Sequence, residues 1–452
     1  MTIEDLHAPG VFVQKVLRED ACPPPEVLLH TSTVDMGLAD VPKDRYFSRE
    51  FHDLEMKKLW PRVWQMACWS NDIPNPGDYT VYRIGDHSIV LVRQTDQGIK
   101  AFHNVCLHRA RQLCDGPGHA QHLRCSYHGF TWNLNGTLKE VPCRWDFPQV
   151  SNDAFRLPEV RVEQWNGFAF INLDGKAPPL AEYLEDIPAH FEAWDFSDRF
   201  KAVHVEKIVH VNWKVCMEAF LESLHTVGTH PQLLPFNAET LSQYDVYPGK
   251  RHFDRTINPM GFISEHIADT PFSEQEIVDS FVSNYYPQYI GTEHAKVAEG
   301  SSARKVLAAL NRRNLEQITG TDLSEFGESE MLDGVWYTIF PNFVPWPTYG
   351  VMLVYRFRPL ENDPERCVWD IMVLMPFRGE RPASVPVRRV EENEKLVDHL
   401  GALGGILDQD CENLRGVRVG LRAAVKPGVT LSQYQESRIR HLNQTLDEYI
   451  CG

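Results

Sequence analysis

A chain of 452 residues is too long for one compact core and implies two domains, one of them elaborated. Its 43% hydrophobic and 24% charged residues are the balance of an ordinary globular protein, and a net charge of −17 without any Lys/Arg run argues against nucleic acid or anionic lipid as partner. Met1 to Val13 lacks the basic-then-apolar layout of a signal peptide and no later run is apolar enough to span a bilayer, so a cytoplasmic protein with no membrane association is expected, its ten cysteines being free thiols with a few metal ligands among them.

In chain order, residues 1–45 form an N-terminal arm. Ser48 is placed to cap a helix with Phe51, Leu54, Leu59 and Val63 roughly on one face. Strands at Thr80 to Ile84 and Ser88 to Val92 flank Gly85-Asp86, and Val160 to Gln164 and Phe168 to Leu173 flank Asn166-Gly167, the strongest short hairpin signal. An antiparallel β domain over 46–175 follows, closed by the linker Asp174-Gly175-Lys176-Ala177-Pro178-Pro179.

A mixed α+β domain over 176–452 opens with alternating Val203 to Val211, turns helical through Trp213 to Val227, and later shows strands at Val335 to Phe340, Gly350 to Phe357 and Val368 to Met375. Between them, a helical insertion over about 265–333 holds one helix from the capping box Ser273-x-x-Glu276 and another from Ala303 to Ile318, then a polar loop through Glu330. Ser432 and Gln435 stand at capping-box spacing ahead of a terminal helix to Ile450.

Two constellations carry chemistry. Cys106-Leu107-His108 and, after sixteen intervening residues, Cys125-Ser126-Tyr127-His128-Gly129 pair a thiol with an imidazole twice, with the turn Gly116-Pro117-Gly118 between. Two Cys and two His suit a [2Fe–2S] cluster whose second iron takes neutral imidazoles, which raises its potential. A structural zinc site is the alternative, but zinc fingers separate Cys pairs from His pairs. Cys114, His103, His119 and His122 fit no ligand slot and read as core or solvated groups.

In the second domain Glu218, Glu222 and His225 are spaced four and three apart on one predicted helix face, and His230 follows beyond Gly228 and before Pro231. Two imidazoles and one distant carboxylate would complete a facial triad, which holds Fe(II) and leaves positions open for O₂. Read bare, two His five apart more often mark an ordinary helix face.

Cys-x-His and Cys-Ser-Tyr-His-Gly-Phe-Thr-Trp (125–132), together with Asn212-Trp213-Lys214 through Glu218-Ala219-Phe220-Leu221-Glu222-Ser223-Leu224-His225 and His230, resemble the two signatures of the Rieske non-haem iron ring-hydroxylating oxygenases, α subunit. The resemblance implies an N-terminal antiparallel β Rieske [2Fe–2S] domain and a C-terminal helix-grip catalytic domain. Cys106, His108, Cys125 and His128 would hold the cluster, and Tyr127 would match the residue whose hydroxyl bonds a cluster sulfur. His225 and His230 would hold mononuclear Fe(II), with O₂ as co-substrate. Asp410, after Gln409 and eleven residues before Leu421, resembles the third ligand, with Asp408 and Glu412 as close competitors and a plain N-terminal helix carboxylate as the alternative. Glu222 stands where relatives carry a carboxylate, more often Asp, that joins an iron His of one subunit to a Rieske His of the next. A homotrimer, with or without a β subunit, is thereby implied. His108-Arg109-Ala110 departs from the usual His-Arg-Gly, a change of loop packing rather than ligation.

No dinucleotide Gly-rich fingerprint is present, so NAD(P)H electrons are expected through a separate reductase, with or without a ferredoxin. The expected activity is mono- or dioxygenation of a small aromatic or polycyclic substrate, or alternatively monooxygenation of a quaternary amine. Phe220, Leu221, Phe340, Asn342, Leu353 and Trp369 are pocket candidates, although alternating aromatics on strands more often form core. A non-catalytic electron carrier and a zinc hydrolase are the rival classes; substrate-dependent O₂ uptake and a red-brown chromophore discriminate them.

Overall fold

The computed structural model describes residues 6–287 and 295–452. It divides into two compact units, Asp53–Tyr183 with Pro359–Asp363, and the chain up to His52 with Leu184–Arg358 and Pro364–Gly452. Helices and largely antiparallel sheets make up the chain, an α+β fold.

Helix α1 (Val11–Arg18) buries Val13, Val16 and Leu17, and α2 (Arg49–Leu54) starts where Ser48 Oγ accepts the Phe51 N–H at 3.0 Å. Leu54, expected on the apolar face, is 38% exposed. The first unit's strands are β1 (Gln65–Trp69), β2 (Asp78–Ile84), β3 (His87–Arg93), β4 (Ile99–His103), β5 (Gly118–His119), β6 (His122–Arg124), β7 (Thr131–Asn133), β8 (Leu138–Glu140), β9 (Glu159–Trp165) and β10 (Phe168–Asn172). They form a seven-stranded sheet, β1-β10-β9-β4-β3-β2-β5, and a three-stranded one, β6-β7-β8. Asn166 and Gly167 both take positive φ, as a two-residue primed turn requires, and register β9 on β10 with Trp165 opposite Phe168.

The second unit is built on β11 (Arg199–Val209), α3 (Trp213–Glu218), α4 (Thr226–Thr229), β12 (Gln243–Val246), β13 (Phe253–Asn258), α5 (Glu274–Tyr285), α6 (Ala303–Thr319), α7 (Glu328–Leu332), β14 (Gly334–Ile339), β15 (Phe343–Pro345), β16 (Leu353–Pro359), β17 (Cys367–Pro376), β18 (Arg388–Val390), α8 (Ala402–Ala423) and α9 (Ser437–Cys451). Its eight-stranded sheet runs β12-β13-β14-β15-β16-β17-β11-β18, antiparallel except where β18 joins β11. The segment before α2 is tied to this sheet by Ser32 N–H on Asp245 (2.8 Å) and by Arg255 on the Val27 and His30 carbonyls (2.7 and 2.9 Å).

Several elements depart from expectation. The capping box at Ser273 and Glu276 is complete, but the polar loop expected through Glu330 contains the short buried helix α7, where Glu330 accepts the Trp194 indole N–H at 3.0 Å. The terminal helix begins at Ser437, because Ser432 bonds reciprocally with Glu436 rather than pairing with Gln435 at a helix start. The helix expected through Val227 stops at Glu218. Beyond it, tertiary partners take the backbone groups: Trp336 Nε1 donates to the Phe220 carbonyl at 2.7 Å, Arg438 to that of Leu221 at 3.5 Å, and the Ser223 N–H donates to Tyr244 Oη at 3.0 Å.

Candidate metal centres

In the first unit, two loops present matched geometry. The Ala110 N–H returns to the Cys106 carbonyl at 3.0 Å and the Gly129 N–H to that of Cys125 at 3.0 Å, while Cys106 and Cys125 each donate a backbone N–H across their loop, to Arg111 and Phe130. Ala110 and Gly129 both have positive φ, 57° and 80°. The alanine therefore keeps the glycine-type turn, at the steric cost of a left-handed non-glycine residue. Both thiols are buried, and the His108 and His128 rings stand 4.6 Å apart.

The donor set fits a cluster. Burial pushes the Cys106 thiol up, while the His108 and Arg109 N–H groups aimed at it favour the thiolate. His108 Nδ1 is buried without a hydrogen-bond partner, an orphan that coordination would satisfy. Tyr127 is half-exposed, its ring 3.7 Å from that of His128 and under the Arg109 guanidinium.

In the second unit α3 is capped by Asn212, whose side chain accepts the Lys214 N–H at 3.0 Å. Glu218 does not share a face with Glu222 and His225 as expected. It turns to Tyr46 Oη and Asn443 Nδ2, each at 3.0 Å, and burial lifts its carboxyl to about 7. His225 heads the short helix α4, and His230 leaves it with φ −125°, just before Pro231.

Asp410 lies in the middle of α8, which runs from Ala402, so the macrodipole reading of this carboxylate falls away. Gly404 seats the helix: a Cβ there would meet the Leu396 carbonyl at 2.2 Å. The neighbouring acids are engaged elsewhere, Asp408 with the Leu396 and Val397 N–H groups at 2.8 and 3.1 Å, and Glu412 outward beside Arg415.

Ligand atoms of His225, His230 and Asp410 lie within 4.8 Å of one another. His225 Nδ1 is 2.6 Å from Glu222 Oε1, and His230 Nδ1 is 2.8 Å from Gln409 Oε1. Both oxygens can only accept, so both ring nitrogens carry hydrogens. The opposite nitrogens, His225 Nε2 and His230 Nε2, both face one atom, Asp410 Oδ1, at 3.5 and 3.0 Å. Such convergence calls for a positive charge within it, which a proton on an imidazole or a bound cation can supply. Burial opposes a charge on His225, yet the Glu222 and Asp410 carboxylates outweigh it and raise its pKa to about 10. Burial likewise raises the Asp410 carboxyl, and the two imidazoles more than reverse that, holding it below the usual carboxylate range. The residues fit a divalent cation bound by two His and one carboxylate.

Next to this set, Phe220 packs against Trp369, Tyr355 and Phe357 at ring separations of 4.6, 5.1 and 5.7 Å, and the Asp410 charge reaches the Tyr355 hydroxyl. Leu353 lies two residues before Tyr355 on the same strand face. Phe340 stacks on Tyr449 at 5.5 Å, Asn342 donates to the Phe357 carbonyl at 2.5 Å, and Leu221 is fully buried with its carbonyl on Arg438. Gln409 and Tyr355 escaped the sequence reading; the only signal for Gln409 was its place beside Asp410.

Residues 63–151 match the Rieske [2Fe-2S] domain and residues 189–452 the ring hydroxylating alpha subunit catalytic domain. The chain belongs to the ring-hydroxylating α-subunit family, the Rieske non-haem iron oxygenases. That membership implies a Rieske cluster, a mononuclear iron and O₂ as co-substrate. It is 32% identical over 202 residues to the large oxygenase component of the 2,4-dinitrotoluene dioxygenase system of Burkholderia sp. (strain RASC), covering 42% of this chain and 44% of that protein. It is 29% identical over 253 residues to the glycine betaine monooxygenase oxygenase subunit of Chromohalobacter salexigens, 54% of this chain and 55% of that one. The chain thus spans about half the length of these curated relatives. Its fold is similar to that of a quaternary ammonium Rieske monooxygenase solved with L-carnitine, with a TM-score of 0.63 at 18% identity, covering 92% and 96% of the two chains. Among the described residues, no helix is long and apolar enough to cross a membrane.

Proposed function

We propose that this chain is the terminal oxygenase component of a multicomponent Rieske oxygenase, which hydroxylates a small organic substrate with O₂ and electrons delivered from NAD(P)H by a separate reductase, with or without a ferredoxin. The observation that carries this reading is the aim of His225 Nε2 and His230 Nε2 at a single Asp410 oxygen, with both Nδ1 hydrogens already committed. Ferrous iron held by His225, His230 and Asp410 would supply O₂ activation, and a cluster held by Cys106, His108, Cys125 and His128 would supply single electrons.

The chain's own groups prepare that chemistry. Asp410 contributes the one charged ligand. Glu222 fixes the His225 tautomer and retains acceptor capacity for a second imidazole, which suits a bridge to His128 of a neighbouring copy in a head-to-tail homotrimer, with or without a β subunit. Phe220, Tyr355 and Trp369 offer ring faces and exclude water beside Asp410.

An apolar lining of this kind suits an aromatic or polycyclic substrate. A second reading, monooxygenation of a quaternary amine, is supported by the cation–π capacity of the same rings and by relatives named for glycine betaine and carnitine. O₂ uptake by the purified chain with a reductase, measured against naphthalene, carnitine and glycine betaine, tests both. Uptake coupled to product from one class is expected; no substrate-dependent uptake with any member of either class, by iron-replete protein, counts against the proposal.

A further inference from the structure

Two donors meet on the amide oxygen of Gln409. His230 Nδ1 is 2.8 Å from it and Gln232 Nε2 is 2.7 Å from it, while Gln409 is the residue immediately before Asp410 on α8. We propose that Gln409 is a positioning residue for the mononuclear iron, holding His230 in the tautomer whose Nε2 is free to bind metal. The assignment rests on the reading of His225, His230 and Asp410 as the iron site.

Oε1 of an amide only accepts, so the facing Nδ1 bears the hydrogen and a neutral imidazole then leaves Nε2 bare. That nitrogen lies 3.0 Å from Asp410 Oδ1, where a metal would have to be shared. The second donor, Gln232, lies two residues beyond His230 and bonds the same oxygen. It keeps the carbonyl end of the Gln409 amide turned to the ring, since rotation by half a turn would set NH₂ against NH₂. One helix therefore delivers a ligand at 410 and orients another ligand from 409.

The two imidazoles are held unequally. His225 gives its Nδ1 hydrogen to a carboxylate, Glu222, whereas His230 gives its own to a neutral amide. A charged acceptor makes the ring a stronger donor to metal, so His230 is the more weakly reinforced ligand and the one whose orientation depends most on its partner. A carboxylate at 409 would add a charge beside Asp410 and strengthen the hold, while a residue without an acceptor would let the ring reprotonate at Nε2 towards Asp410.

The test compares wild type, Gln409→Met and Gln409→Glu, each stripped of mononuclear metal but retaining its cluster, by calorimetric titration with Co(II). Gln409→Met keeps side-chain length and loses the acceptor; its affinity should fall about 10- to 100-fold. Gln409→Glu keeps the acceptor and should bind at least as tightly as wild type. Thermal unfolding of the three metal-free proteins should coincide, since an effect through the fold alone would move it. Equal Co(II) affinity for wild type and Gln409→Met overturns the assignment, as does a Gln409→Glu affinity as weak as that of Gln409→Met. Wild type that takes up no Co(II) overturns the metal-site reading itself, and is told apart because it fails before any substitution is made.

Discussion

Glu222 grips His225 twice: Oε1 lies 2.6 Å from the ring Nδ1 and Oε2 accepts the backbone N–H of the same residue at 2.9 Å. The carboxylate is thus rigidly placed and 8% exposed, oriented by His225 rather than by the metal set. Glu222→Gln keeps this shape and removes the charge. Both metal sites should stay occupied, while reoxidation of reduced cluster by substrate and O₂ should slow by about tenfold or more in stopped flow. Loss of mononuclear iron would make Glu222 a ligand, and an unchanged rate would leave it an ordinary structural carboxylate.

Ala110 occupies a left-handed conformation that Gly129 adopts in the matching loop. Ala110→Gly should stabilise the protein by about 0.5–1 kcal/mol, the relief of strain exceeding the added freedom of the unfolded chain. Chemical denaturation measures the gain, and the cluster's EPR signal should not move. A loss of stability would show that the methyl group packs usefully.

Glu218, lifted to about 7 by burial despite the Asn443 and Tyr46 bonds, ties the fold to pH. The folded chain holds this proton where the unfolded chain releases it, near 4.5. Its contribution is therefore fully present below pH 4.5 and is lost as pH rises through about 7. Glu218→Gln should match wild type at pH 4.5 and exceed it increasingly towards pH 8 in denaturant midpoint. A constant difference across that range would place the ionisation elsewhere.

The metal motifs were legible because their spacing is local: Cys-x-His and Cys-x-x-His each close one turn, and Asn166-Gly167 and Ser273-x-x-Glu276 encode their own backbone geometry. What escaped depends on partners far along the chain. Glu218 looked like one face with Glu222 until Trp336, Tyr244 and Arg438 took the backbone of 220–223, and no periodicity announces that. The choice of Asp410 over Asp408 and Glu412 became a geometric distinction only with α8 in place, since the three differ by two residues each and only one faces the imidazoles. Phe340, read on a strand, and Phe220, read on the helix through Val227, were both only pocket candidates in sequence, yet one stacks on the terminal helix and the other on Tyr355, whose hydroxyl the Asp410 charge reaches.

That last difference is measurable. Phe220→Leu should change KM and product distribution with any accepted substrate, with little loss of fold. Phe340→Leu should leave both unchanged and cost about 1 kcal/mol in stability from its lost packing on Tyr449. The reverse pattern would relocate the pocket to the Phe340 side.

The most direct test of the account is iron counted per chain, with EPR of the reduced protein, in wild type, His108→Ala and Asp410→Ala. Wild type should hold about three irons, two in the cluster and one at the facial set, with a rhombic Rieske signal. His108→Ala should lose the signal and keep the single iron, and Asp410→Ala should keep the signal and lose that iron. A chain in which Asp410→Ala retains full iron, or His108→Ala retains the rhombic signal, contradicts the assignment of two separate centres to these residues.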